Sequence, residues 1–281
     1  MTHPTSNGDS SISVALATHN GGAFLGEQLS SLARQTRLPD ELVLSDDGSL
    51  DDTLAMAKVF AATAPFPVVI LENPQKKGYA RNFIGAAQRC RGDLIFFADQ
   101  DDVWRDDKIA TIAAVAAASD ELALFHDLTV FSGGPEPNIP SYYAHLHGQG
   151  FPPAVCFKGC SIALKRGFIE RWGWPPEDSQ ISHDFWIALL SSAFGQRQNV
   201  DRVLVEHRIH GRNSSAWIAS PGDRVWSFGA PETETALLID LCLKSWNLGW
   251  TEAFLQTAYD RGVPQDPLQA FDLIDRLASA A

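Results

Sequence analysis

Short apolar runs alternate along the first part of the chain with stretches whose apolar residues recur at helical spacing. Ile12-Ser-Val-Ala-Leu-Ala17 reads as a buried strand, broken by Asn20-Gly21-Gly22. Phe24, Leu25, Gln28, Leu29 and Leu32 then mark one face of a helix, which Pro39 closes off. Glu41 to Ser45 is a second strand, and Asp46-Asp47-Gly48-Ser49 is a turn. Ser49 or Asp51 is placed to cap a helix carrying Leu54, Met56 and Val59. Residues 67–71, 79–89 and 93–98 continue as strand, helix and strand.

The second half is less regular. Residues 107–118 read as a helix, 122–131 hold a strand, 160–164 a strand, 183–194 a helix and 202–207 a strand. Residues 133–153 are rich in Gly and Pro and are expected to form a long loop carrying Tyr142, Tyr143, His145 and His147. Strands alternating with helices predict an α/β fold with a doubly wound, mostly parallel sheet. The expected division is one α/β domain over 11–220 and a helical C-terminal extension over 221–281 that carries no assignable motif. Ligands of such sheets bind beyond the carboxyl ends of the strands. Asn20, the Asp46-Asp47 pair and Asp99-Gln-Asp101 all fall at such ends, so three polar motifs converge on one rim.

Charge sharpens this picture. The 281 residues include 22 Lys and Arg against 34 Asp and Glu, a net charge of −12. No basic face suited to nucleic acid is visible, so none is expected as a partner. The acids cluster at Asp46, Asp47, Asp51 and Asp52, and again at Asp99, Asp101, Asp102, Asp106 and Asp107. Such clusters repel themselves unless a cation joins them; the plainer alternative is a solvated loop. The four cysteines, Cys90, Cys156, Cys160 and Cys242, read as small core residues of a reducing compartment. The polar N-terminus shows no leader, and the most apolar stretch, 109–125, is broken by Ser119, Asp120 and Glu121. A cytoplasmic protein is expected, with peripheral contact at the inner face of the membrane left open.

The sharpest chemical signal is Phe96-Phe-Ala-Asp99-Gln-Asp101-Asp102-Val-Trp104, an apolar run ending in carboxylates. Hard divalent cations such as Mn2+ or Mg2+ take oxygen ligands and bridge phosphate oxygens. An acidic surface turn, or N-capping by Asp106, is the competing explanation. Asp47 at a strand tip can accept a base imide N–H, or simply serve an Asp-Gly turn. Asp184 opens an apolar helix, as a cap or as a base. His210 lies in a turn that could reach a metal, although imidazole is not a hard cation's preferred ligand. Arg208 and Arg212 suit a diphosphate, or an ordinary surface ion pair. Trp104 reads as core.

These blocks occur in a telling order. Val14 to Gly21, Ser45-Asp-Asp-Gly-Ser49, Gly78-Tyr-Ala-Arg-Asn82 and Phe97 to Trp104 are followed by Lys158 to Leu164, His183-Asp184-Phe-Trp186 and His207-Arg-Ile-His210-Gly-x-Asn213. Together they resemble glycosyltransferase family 2, which has the GT-A fold, and are most similar to its bacterial rhamnosyltransferase-like members that build surface polysaccharides. The resemblance implies a dTDP- or UDP-linked sugar donor and a saccharide or lipid-linked saccharide acceptor. It places Ala17, Asn20, Asp46, Asp47, Arg81, Asp99 and Arg208 at the donor, with Asp47 reading the base. It assigns Asp99, Asp101 and His210 to a divalent metal and Asp184 to the catalytic base. With one base and no second carboxylate as nucleophile, inversion is the expectation. His19 and His207 stand where many members have Tyr, which puts the pocket's shape in question. The rivals are a metal-dependent nucleotidyltransferase, which lacks its basic phosphate loop here, and a non-catalytic nucleotide- or sugar-binding module of the same fold.

Overall fold

The computed structural model describes residues 10–132, 138–148, 157–175, 177, 182–210 and 213. The expected extension over 221–281 lies outside them, as does Arg212. Eight strands form one sheet: β1 (Ile12–Thr18), β2 (Glu41–Asp46), β3 (Val68–Glu72), β4 (Leu94–Asp99), β5 (Val103–Trp104), β6 (Ala123–Ser132), β7 (Ile162–Lys165) and β8 (Arg197–Ile209). Their order across the sheet is β3-β2-β1-β4-β7-β6-β8-β5. The β3-β2-β1-β4 half is parallel throughout. Beyond it β7 runs antiparallel to both neighbours, while β6 and β8 are parallel to each other.

Helices α1 (Leu25–Ala33), α2 (Thr53–Thr63) and α4 (Lys108–Ala118) follow β1, β2 and β5. On that face they enclose a core that includes Val14, Leu16, Leu42, Leu44 and Phe96. On the other face α3 (Tyr79–Arg89), α6 (Arg166–Trp172) and α7 (His183–Ala193) cover Ala15, Ala17, Val43, Ile95 and Phe97. Side chains alternate faces along a strand, so covering both faces buries every residue of β1. That is why β1 reads as a continuous apolar run rather than an alternating one. Truncating a fully buried residue such as Leu16 to Ala would cost about 2–5 kcal/mol.

Three expectations are corrected. The segment expected as a loop contains a short helix, α5 (Tyr142–Gly148), because Tyr142, Tyr143 and Leu146 share one face and bury it. Asp127 anchors that helix, accepting from Ser141 Oγ at 2.6 Å and Tyr143 N at 2.9 Å. The strand expected over 202–207 extends over all of β8, since β6 pairs with it on one side and β5 on the other. The caps also differ. Asp52 and Asp107 precede α2 and α4 without side-chain caps. Asp51 does meet the opening N–H of α2, accepting from Thr53 N at 3.1 Å as expected, whereas Asp106 faces Arg34.

Candidate active site

The carboxyl ends of β1, β2 and β4 meet the start of α7 around a cleft of about 360 Å3. Ala17, Asp47, Asp99, Asp101 and Asp184 line it, so five of the expected site residues are brought together. The cleft also takes His19, Lys76, Tyr79, Lys158, His183 and His207.

The turn after β2 is closed by its own hydrogen bonds. Asp46 is buried and accepts from Thr18 Oγ1 at 2.8 Å, Ser49 N at 2.8 Å and Ser49 Oγ at 2.5 Å. It does not line the cleft. Gly48, at φ 76, supplies the left-handed turn residue between them. Asp47 accepts from the backbone N–H groups of Lys77 and Gly78 at 2.7 and 2.8 Å, pinning the loop before α3. Asn20 braces the same turn from β1: its N–H donates to Ser49 Oγ and its Oδ1 accepts from Leu50 N, both at 2.8 Å. It has φ 49, a left-handed value that Asn tolerates.

The turn after β4 is different. Burial, then the charges of Asp102 and Asp101, push the Asp99 carboxyl well above its ordinary range. Burial and Asp102 push Asp101 up as well. Asp102 is fully buried and paired with His207, whose Nδ1 lies 2.8 Å from its Oδ1, and it also accepts from Arg208 N at 3.2 Å. Burial opposes the charges of this pair. Their mutual attraction and hydrogen bond outweigh it, holding Asp102 below and His207 above their ordinary values. Ligand atoms of Asp99, Asp102, Cys160 and His207 lie within 4.8 Å of one another.

Strand β8 carries the remaining partners. His210 Nε2 lies 2.8 Å from Asp101 Oδ2, its ring stacked on Phe24 at 4.6 Å. Arg208 does not line the cleft: it donates to the Asp101 carbonyl at 3.0 Å and to Glu27 at 2.6 Å, braced over Phe131. Arg81 also points elsewhere, donating to the Pro175 carbonyl at 3.2 Å beside Trp174 on a separate surface groove.

Asp184 lies in the first turn of α7, one residue beyond His183, with Ser182 at the N-cap position making no side-chain cap bond. Its Oδ1 accepts from Phe185 N at 2.9 Å. Burial first, and the charge of Asp184 second, push the nearby Tyr79 phenol above its ordinary value. Trp104 is core, as expected, with the buried Lys108 ammonium 3.5 Å over its ring. Lys108 donates to the Cys160 carbonyl, and burial drives its pKa down to about 7. Sequence reasoning missed Lys76, Lys158 and Lys108. It also took His207 only as a change of pocket shape; its signal was a histidine in the strand that returns to an unpaired third acid.

Known proteins bear on this geometry. Over 221 residues the chain is 28% identical to an uncharacterized glycosyltransferase of Nostoc sp., covering 74% of this chain and 68% of that protein. Over 98 residues it is 38% identical to a dTDP-rhamnosyl transferase of Shigella flexneri, covering 34% of each. A mannosyltransferase from Pyrobaculum calidifontis, solved in complex with GDP-Man and Mn2+, superposes with a TM-score of 0.57 at 20% identity, over 73% of this chain and 59% of that one. This chain thus spans less than two thirds of the length of two of these three proteins. The structural likeness shows the GT-A fold, a mostly parallel curled sheet with flanking helices. Residues 13–169, more than half of the chain, match the family described as Glycosyl transferase family 2. The strand-tip carboxylates, the fold and that match lead to one conclusion: the chain belongs to glycosyl transferase family 2.

Proposed function

We propose that the protein is an inverting, metal-dependent glycosyltransferase acting in surface polysaccharide biosynthesis. It would transfer a sugar, with rhamnose favoured, from a dTDP- or UDP-linked donor to a saccharide or lipid-linked saccharide hydroxyl. The observation that carries this is the pair of carboxylates, Asp99 and Asp101, both pushed up by burial and by the charge of Asp102, at a cleft that also holds Asp184. The activity of the Shigella relative supports the sugar, and the GDP-Man and Mn2+ of the mannosyltransferase support a nucleotide-sugar and a cation.

The residues present fit a divalent cation. Asp99 and Asp101 supply hard oxygens whose repulsion a cation would relieve, and His210 already bonds to Asp101. A bound cation would neutralise charge developing on the departing diphosphate. Lys76 and Lys158, both lining the cleft, add positive charge for phosphate oxygens. Asp47 holds the loop before α3 and faces the base. Asp184 takes the acceptor's proton as its oxygen attacks the anomeric carbon from the face opposite the diphosphate. No helix among the described residues is long and apolar enough to cross a membrane, so a lipid-linked acceptor would be met peripherally, at the inner face of the membrane. The division into a domain over 11–220 and an extension over 221–281 belongs to the same proposal.

A donor screen with UDP- and dTDP-sugars and manganese or magnesium, following released nucleotide diphosphate, tests this. Asp184→Asn should lower transfer by roughly 100-fold or more with an unchanged thermal melt. Near-wild-type transfer by a folded Asn variant would remove Asp184 from the mechanism.

A further inference from the structure

A second groove runs beside the cleft, and the proposed reaction does not yet use it. It has a volume of about 660 Å3 and follows one face of α3, with Arg81, Ile84 and Gly85 on the helix, Lys77 just ahead of it, and Trp174 and Pro175 on the other side. Gln88 and the exposed Glu177 complete its lining. Gly85 stands inside α3, where glycine is a poor helix former. It is not among the glycines with left-handed backbone. Among the described residues, a Cβ added to it would meet nothing within 4 Å. Neither a turn nor close packing therefore calls for glycine here. The missing side chain keeps open space above the helix, along the floor of the groove.

The groove is cationic at one end and apolar beyond it. Lys77 is exposed, and Arg81 follows four residues later, braced on the Pro175 carbonyl at 3.2 Å. These cations share a groove in a chain whose net charge is −12. Past them Ile84, the bare Gly85, Trp174 and Pro175 offer apolar surface. From Arg81 to Gln88 the helix rises about 10 Å, at about 1.5 Å per residue, which suits a short prenyl chain. The cationic end adjoins the cleft. Lys76, Gly78 and Tyr79 line the cleft and alternate in sequence with Lys77 and Arg81 on the groove. Tyr79 also feels the charge of Asp184. From the other side, Trp174 meets Phe97 edge-on at 6.4 Å, and Phe97 meets His183, the neighbour of Asp184, at 5.0 Å.

Resting on the proposed transfer to a lipid-linked saccharide, we propose that this groove anchors the acceptor. Lys77 and Arg81 take the diphosphate of a prenyl-diphosphate-linked saccharide, since paired cations suit phosphate oxygens. The first isoprene units lie over Gly85 against Trp174. The saccharide then extends from the cationic end into the cleft, toward Asp184.

The test titrates geranyl diphosphate, geraniol and inorganic pyrophosphate into the full chain by calorimetry. Metal is left out, so that no probe is drawn to Asp99 and Asp101. Geranyl diphosphate should bind about 10-fold or more tightly than either fragment. Gly85→Leu fills the groove floor. Leu is the better helix former and its Cβ enters open space, so this variant should melt at or above wild type. It should nevertheless lose about 10-fold or more on geranyl diphosphate. Lys77→Gln, a change at an exposed side chain, should lose about 10-fold on geranyl diphosphate and leave geraniol unchanged. Wild-type binding of geranyl diphosphate by a folded Gly85→Leu would overturn the inference, as would equal binding of the three probes by wild type. If Gly85→Leu folds poorly, Lys77→Gln decides, and no loss there overturns the proposal. Transfer by wild type together with any of these failures would leave the proposed function standing. If the donor screen releases no nucleotide diphosphate, the proposed function falls and the acceptor role of the groove falls with it.

Discussion

The tips of β2 and β4 carry acidic clusters that look alike in sequence and behave oppositely in the fold. At β2 the carboxylates of Asp46 and Asp47 are met by hydroxyls and backbone N–H groups. Asp51 is held below its ordinary value, with burial opposing and bonds from Thr53 and Gly22 prevailing. At β4 the acids face one another, and Asp99 and Asp101 are pushed up. Satisfied carboxylates build a turn. Carboxylates pushed up by burial and by one another's charge mark where something positive is expected to arrive. The pair Asp102 and His207 stands between the two cases, being buried but paired, and it locks the β4 turn to β8.

The comparison breaks most severely at that pair. His207→Phe would leave Asp102 buried without its cation, and urea unfolding should show a loss of about 3–5 kcal/mol. A loss below about 1 kcal/mol would mean the pair does not hold the turn. At β2, Asp46→Ala should cost less, about 1–3 kcal/mol, by stranding Thr18 and Ser49. Because Asp46 is architectural, the response of the melting temperature to manganese should survive in this variant; its disappearance would make the two clusters one site.

A smaller effect lies in pH. The lowered Asp102 stabilises fully above its unfolded value of 3.8, and loses that contribution as pH falls through its folded value. The raised His207 stabilises fully below its unfolded value of 6.5, and loses that contribution as pH rises through its folded value. Their combined support is therefore greatest between about pH 4 and 6.5, and a tenfold difference in proton affinity between folded and unfolded chain is worth about 1.4 kcal/mol. The double variant Asp102→Asn, His207→Gln should flatten this component of the stability curve. Identical curves from pH 5 to 8 would count against the charged pair.

Much of the fold was legible because burial on both faces writes β1 and β4 as nearly continuous apolar runs, β4 ending in an acid. The convergence of Ala17, Asp47, Asp99, Asp101 and Asp184 was legible for the same reason, since strand ends share a rim. What each acid does there was not. Whether Asp47 is satisfied depends on Lys77 and Gly78, about thirty residues away, and whether Asp102 is paired depends on His207, beyond a hundred. Local pattern carries no record of such partners. Arg81 and Arg208 illustrate the converse: their side chains suit phosphate, yet the Pro175 carbonyl and Glu27 turn them away from the cleft. Helix α5 was hidden by flanking Gly and Pro, although its buried tyrosines gave the face away.

The most direct measurement is calorimetric titration of UDP or dTDP, with and without manganese, into wild type and Asp101→Ala. A rim carboxylate is not core, so the variant should fold. The account predicts that manganese tightens nucleotide binding to wild type and leaves Asp101→Ala unaffected. Equal binding by both proteins under both conditions would contradict it.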